Sequence, residues 1–232
     1  MTVEDYKEGQ LIFIDKPLGW TSFQVVNKIR WLIKQQFKLK KIKVGHAGTL
    51  DPLATGLLIL CVGKFTKKID TYQAQEKEYT GTITLGATTP SYDLETEIDA
   101  TFDYSSISSE NVSETTLQFI GEIQQQPPIF SALKKDGKRL YEYARAGEEV
   151  VIPKRTVHIS AFEITNIELP NIDFRIVCSK GTYIRSLAHD FGKTLNNGAH
   201  LSALRRTKIG DYSVENSLSI EGFETKLETT SS

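Results

Sequence analysis

No run of apolar residues in this chain comes near the roughly 20 that a membrane-crossing helix needs. The longest, Leu57-Leu-Ile-Leu-Cys-Val62, is short enough to read only as a buried element. The N-terminal Met-Thr-Val-Glu-Asp-Tyr is acidic and has no apolar core, which excludes a signal peptide. Cysteine is scarce. Cys61 and Cys178 both sit in apolar segments, so they read as reduced core residues of a cytoplasmic protein and not as a disulfide framework or a metal site. The four histidines, at 46, 158, 189 and 200, lack the spacing of zinc ligands. There is no Walker loop, no G-x-G-x-x-G and no G-x-S-x-G. Metal and nucleotide cofactors are therefore not expected. A carboxylate remains as the candidate nucleophile or base.

What is present is an ordinary globular composition, 39% hydrophobic and 25% charged over 232 residues. That length fits one large domain, or one domain with a sizeable insertion. The net charge of -1 hides a segregated distribution. Lys28 to Lys43 holds seven basic residues and no acid, and smaller basic clusters lie at 64–68, 134–139 and 205–208. Ser91 to Glu122 holds eight acids and no base, and the tail after Gly210 is acidic. One such cluster alone is a solvated face. Four of them flanking unusual loops point to a surface for a polyanion.

Leu11 to Ile14 reads as a short strand. Thr21 or Ser22 caps a predicted helix running to about Phe37, with Phe23, Val26, Ile29, Ile33 and Phe37 near helical spacing. Glu78 to Leu85 alternates as a strand, and Ser91 to Ser109 reads as a polar surface excursion. A short helix is expected over Ser113 to Ile120. Pro127 and Pro128 exclude helix where a basic, tyrosine-bearing insertion opens, over about 124–150. Arg155 to Leu169 and Ile172 to Cys178 read as two strands joined by a hairpin turn. A helix then holds Ile184, Leu187, Ala188 and Phe191 and ends near Leu195. The mixture is α+β, a sheet with helices packed on it.

Two segments carry chemistry. Lys43-Val-Gly-His-Ala-Gly-Thr-Leu-Asp-Pro-Leu-Ala-Thr-Gly56 is a loop with special backbone demands that carries Asp51 and runs straight into the buried Leu57 segment. Functional groups are commonly held on such anchored loops. Lys180-Gly-Thr-Tyr-Ile-Arg185 joins a strand end to a helix start, a place that tolerates anions. Taken alone, Arg185 reads as a surface arginine and Tyr79 as a half-buried strand aromatic. Facing Asp51, Arg185 would keep that carboxylate ionised and directed.

These residues closely resemble the bacterial tRNA pseudouridine synthases of the TruB family. Six ordered motifs carry the resemblance: Asp15-Lys-Pro-Leu-Gly-Trp-Thr-Ser22, Gly45 to Leu57, Lys77-Glu-Tyr79, Gln126 to Gly147, Ser179 to Asp190 and Leu204-Arg-Arg206. They cover about Leu11 to Gly210. The resemblance implies a pseudouridine-synthase fold, with a mixed, mainly antiparallel central sheet flanked by helices. It implies conversion of uridine to pseudouridine at position 55 in the TΨC loop of tRNA, by base flipping, without a cofactor or metal.

Carried over by resemblance, Asp51 is the catalytic carboxylate and Arg185 its counter-ion. Tyr79 stacks on the target base. Tyr183 lines the pocket and Leu204 is its apolar wall. His46 fills the gap left by the flipped nucleotide, and Lys16 supports the pocket structurally. The expectation is a single catalytic domain over 1–232, monomeric and cytoplasmic, with the insertion gripping the TΨC stem-loop and no membrane contact. The C-terminal PUA domain of many family members is expected to be absent, because only an acidic stretch follows Gly210. Two other readings stand beside this one. One is an RNA-binding module that helps tRNA fold, supported by the segregated charge. The other is a carboxylate-dependent hydrolase, which needs a second carboxylate as acid; none shares the Asp51 loop.

Overall fold

The computed structural model describes residues 2–229. The chain opens with helix α1 (Val3–Glu8), strand β1 (Gln10–Lys16), helix α2 (Ser22–Gln36) and strands β2 (Val44–His46) and β3 (Ala54–Val62). A 3₁₀ turn leads to α3 (Ile69–Ala74) and β4 (Lys77–Leu85). The short strands β5 (Ala87–Thr88) and β6 (Ala100–Thr101) pair with each other, followed by α4 (Ser109–Thr116) and β7 (Gly121–Gln125). The hairpin β8 (Lys134–Lys135) and β9 (Lys138–Arg139) precedes α5 (Leu140–Ala146). The long strands β10 (Arg155–Glu168) and β11 (Asn171–Cys178) lead to α6 (Ile184–Thr194), β12 (Ala199–Ile209), β13 (Tyr212–Ser213) and α7 (Ile220–Thr229). Contacts divide the chain into two compact units, one of residues 2–79 and 204–229, the other Thr80–Ala203. No helix among the described residues is long and apolar enough to cross a membrane.

In the first unit β3 is the central strand. β1 runs antiparallel along one edge, from Gln10 opposite Val62 to Lys16 opposite Gly56. The other edge is shared. β12 pairs parallel with Ala54 to Gly56, and β2 pairs antiparallel with Leu60 to Val62. Every β3 residue from Leu57 to Val62 is buried, as the apolar run predicts. One face carries α2, whose stripe Val25, Val26, Ile29, Leu32 and Ile33 packs with Ile12, Ile14, Leu58 and Leu60. Thr21 caps α2 by accepting from the Gln24 amide at 3.1 Å, and the Gln24 side chain closes the capping box. Phe23 was expected on this stripe. It is 64% exposed, because the buried arc is centred on Val26 and Ile29 and Phe23 falls off its edge.

The acidic tail is also structural. Ile220, Phe223 and Leu227, at helical spacing, put one face of α7 into the core beside α2, while Glu221, Glu224 and Glu228 occupy the other positions. Helices α1 and α3 were not anticipated either. α1 is held by a capping box of Thr2 and Asp5.

The second unit is built on antiparallel pairs. β10 pairs with β11 and with β7. Its core is aromatic, with Phe162 lying 5.5 Å from Phe191 and 6.2 Å from both Phe119 and Phe174, centroid to centroid. Here α4 begins at Ser109, four residues earlier than expected, and gives way to a 3₁₀ turn at Leu117–Phe119. The cause is Ser108, which accepts from the Asn111 amide and nucleates the first turn. The segment expected as a surface excursion over Ser91 to Ser109 is not wholly superficial, since Ser91 and Asp93 are buried.

Candidate active site

Asp51 lies in the loop between β2 and β3, partly exposed, and the first unit holds that loop from three directions. Ser22, at the start of α2, accepts from the Leu50 amide at 2.8 Å and donates to the Leu50 carbonyl at 3.1 Å. The Pro52 carbonyl accepts from the Gly19 amide at 2.9 Å and from Lys16 Nζ at 3.4 Å. Arg206, on β12, donates to the carbonyls of Gly48, Thr49 and Leu57. The residues on both sides of Asp51 are thus pinned by their backbones.

Lys16 is fully buried, at 0% exposure. Nζ also donates to the carbonyls of Pro17 at 2.9 Å and Trp20 at 2.5 Å, so it ties the turn before α2 to the Asp51 loop. Burial pushes its ammonium down to about 8; the Asp51 carboxylate opposes that and the Arg206 guanidinium adds to it. His46 ends β2. Its imidazole pKa is lowered, first by burial and then by the Arg206 charge, against a smaller pull from the Gly48 backbone. Its Nδ1 is buried and meets no partner in hydrogen-bonding geometry among the described residues.

Leu204 sits where β12 meets β3, opposite Ala54, and its carbonyl accepts from Thr55 Oγ1 at 3.5 Å. Beside it Arg205 makes a two-pronged ion pair with Asp15, at 3.0 and 2.7 Å. Tyr79 is buried in β4. The preceding Glu78 accepts from Thr207 Oγ1 at 2.8 Å, which ties the start of β4 to β12. Asp51, His46, Lys16, Tyr79 and Leu204 therefore all belong to the first unit.

Arg185 and Tyr183 belong to the second unit. Arg185 is no surface residue: it is 3% exposed, in the first turn of α6. Within its unit Nη1 donates to the Ser91 carbonyl at 3.1 Å, and Nε lies 3.5 Å from Asp93 Oδ2. The Ser91–Asp93 turn is itself knitted together, since Thr89 Oγ1 and Ser91 Oγ both donate to the Asp93 carbonyl. Between them Tyr92 takes the left-handed conformation, φ 64°. Its ring stacks on His189 with centroids 3.8 Å apart. Tyr183 precedes α6, and Gln125 holds its backbone twice, accepting from the amide at 2.8 Å and donating to the carbonyl at 2.9 Å. The guanidinium of Arg155 lies 4.6 Å over the Tyr183 ring centroid.

Sequence reasoning missed Asp93, Gln125 and the task of Arg206. Asp93 lies among seven other acids with nothing local to single it out. Arg206 was part of a quoted motif, but its burial was not anticipated.

Comparison with known proteins identifies the family. Residues 34–184 match the TruB family pseudouridylate synthase N-terminal domain, and residues 185–231 match the tRNA pseudouridylate synthase B C-terminal domain. The chain is similar to tRNA pseudouridine synthase B of Flavobacterium johnsoniae, 64% identical over 98% of this chain and 100% of that one. The counterpart from Phocaeicola vulgatus is 56% identical over 94% of this chain and 93% of its own. Among solved structures, a chain of an H/ACA ribonucleoprotein bound to a substrate RNA containing 2'-deoxyuridine superposes with a TM-score of 0.69 at 27% identity over 97% of this chain. A chain of a Cbf5–Nop10–Gar1 complex does so with a TM-score of 0.69 at 30% identity over 95%. This chain spans about half the length of those two solved chains, 55% and 54%. Family models that together run from residue 34 to 231, and relatives matched over nearly their whole length, leave one assignment: the chain belongs to the TruB family of pseudouridylate synthases.

Proposed function

We propose that this protein isomerises uridine to pseudouridine in tRNA, at position 55 of the TΨC loop. The observation that carries the reading is the Asp51 loop, which presents one carboxylate on a backbone held by Ser22, Lys16 and Arg206. The reaction breaks C1′–N1 of the uridine, turns the base and joins C1′ to C5. The proton on C5 is lost, N1 gains one, and substrate and product have the same atoms. A carboxylate can serve by adding to C1′, by adding to C6 or by assisting elimination to a glycal, and in each case it leaves unchanged.

Asp51 carries the chemistry in this reading, with Arg185 as its counter-ion. Tyr79 stacks on the target base, Tyr183 and Leu204 line the pocket, and His46 takes the space left by the flipped nucleotide. Flipping costs a few kcal/mol, which stacking and hydrogen bonds to the base offset. Lys16 acts on the loop and not on the substrate, since Nζ is directed at three carbonyls. The basic hairpin β8–β9 with α5, inside the 124–150 insertion, grips the stem-loop through phosphates and shape. The protein works in this account as a single-domain monomer in the cytoplasm.

The test is release of tritium from C5-labelled uridine in tRNA. Wild type is expected to release it, and Asp51→Asn to reduce the rate by at least about 10³-fold, as loss of an essential catalytic group does. Release that persists in the variant would remove Asp51 from the chemistry. Tight tRNA binding by a wild type that releases nothing would favour a folding chaperone.

A further inference from the structure

Arg206 is the largest of the fully sealed side chains, at 1% exposure. A buried guanidinium is normally matched by a carboxylate. Arg206 instead directs its donors at backbone carbonyls: Nε to Leu57 at 2.8 Å, Nη2 to Gly48 at 3.0 Å and Nη1 to Thr49 at 3.5 Å. Two of these precede Asp51 and one follows it. They span the stretch where β3 passes from its β12 partner to its β2 partner, so one planar group ties the entry of the loop to its exit. Gly56 completes the fit. A Cβ there would stand 2.2 Å from the Arg206 carbonyl oxygen and 2.8 Å from its amide nitrogen, so only glycine lets β12 bring the arginine this close. Lysine has the charge but not the rigid fork that reaches three carbonyls at once.

We propose that Arg206 is a positioning residue for the reaction: by holding the Gly48, Thr49 and Leu57 carbonyls it fixes both ends of the loop, and with them the direction in which Asp51 presents its carboxylate. The inference rests on Asp51 as the catalytic carboxylate. Arg206 touches no substrate in this account. Its effect is on alignment, where an error of about 1 Å costs on the order of 100-fold in rate.

The variants Arg206→Lys and Arg206→Gln, made in the full chain, test it with three readouts: single-turnover tritium release, tRNA Kd, and amide hydrogen exchange. The rate is expected to fall about 10- to 100-fold while Kd stays within about threefold of wild type. The Leu50 and Ala54 amides, bonded to Ser22 Oγ at 2.8 Å and to the Asp51 carbonyl at 3.1 Å, should exchange about tenfold faster, with β1 unchanged. A Kd loss equal to the rate loss would make Arg206 an RNA contact and overturn the proposal. So would unchanged exchange at Leu50 and Ala54. Loss of folding in both variants would assign the residue to the core, also against the proposal. If wild type itself releases no tritium, the functional reading fails separately, and the exchange comparison still decides whether Arg206 holds the loop.

Discussion

Lys16 and Arg206 are two buried cations whose hydrogen bonds go to carbonyls around a single carboxylate-bearing loop. Neither is spent on a surface ion pair, where the net gain is small. Charge-assisted bonds to buried carbonyls contribute about 1.5–3 kcal/mol each, and leaving such carbonyls unmatched costs a similar amount. A second residue-scale device lies in the other unit. Burial pushes the His189 imidazole down to about 4, with the Lys193 charge adding to this and Asp99 opposing it. The folded protein therefore keeps His189 neutral where an unfolded chain protonates it near its ordinary 6.5. The stability it contributes is complete above pH 6.5 and is lost as pH falls from there to about 4. His189→Phe keeps a ring against Tyr92 and removes the titration. The difference in unfolding free energy between wild type and variant should shift against wild type by about 1–2 kcal/mol across that window, less than full linkage because the ring is partly open to water. A difference that does not change with pH would reject this account.

At the scale of elements, the parallel contact of β12 with β3 sets the site's frame. It lies at Ala54 to Gly56, immediately after the Asp51 loop, and places Leu204, Arg205 and Arg206 side by side along it. Gly56 adopts φ 102°, a region that favours glycine, and stands against the Arg206 backbone. Gly56→Ala adds backbone strain to a steric overlap that no flexible side-chain tip can relieve. The expected loss is about 2–4 kcal/mol of unfolding free energy, read from the urea midpoint at constant slope. A loss below about 0.5 kcal/mol, the range of neutral surface changes, would show that β12 simply moves aside. The same frame explains why the basic motif near residue 205 is only partly a surface feature. Arg205 pairs with Asp15, Arg206 is sealed, and Lys208 remains exposed.

At the scale of the whole molecule, charge is distributed and not abundant. The net charge is -1, yet 28 basic residues and 29 acids are segregated along the chain. Part of the acidic share is structural: α7 is docked on the core, and Glu224 lies 3.6 Å from Lys28. Part of the basic share is likewise committed, in the pairs Lys64–Glu8 and Lys138–Glu148. Arg30 is committed too, to Asn27 and the Val44 carbonyl, and Arg145 lies 3.6 Å from Glu95. Lys38, Lys40, Lys41 and Lys43 after α2, with Lys134 and Arg139 in the insertion, are exposed and open to phosphates. Binding of tRNA should weaken by about tenfold or more between 50 and 200 mM monovalent salt, measured as Kd at several concentrations. A flat response would contradict an electrostatic RNA face.

Much of this protein is written in local pattern. The helical spacing of Val26, Ile29 and Ile33, the cap at Thr21, the apolar Leu57 to Val62 run and the hairpin after β10 follow from residues within a few positions of one another, where backbone sterics and burial decide the outcome. The Asp51 loop was recognisable for the same reason, because its glycines and carboxylate are contiguous. The buried arginines that fasten backbone far along the chain were not. Arg206 reaches Leu57 across 149 positions, and Arg185 reaches Ser91 across 94. No local periodicity encodes such pairs. Strand register and packing choose them, and they leave Phe23 exposed while sealing Arg206 inside. Local pattern and motif order gave most of the long elements, the family and Asp51, but not α1, α3 or α7. Which buried cations hold the backbone beside Asp51 emerges with the folded chain, since it depends on which strand ends the sheet brings next to the loop.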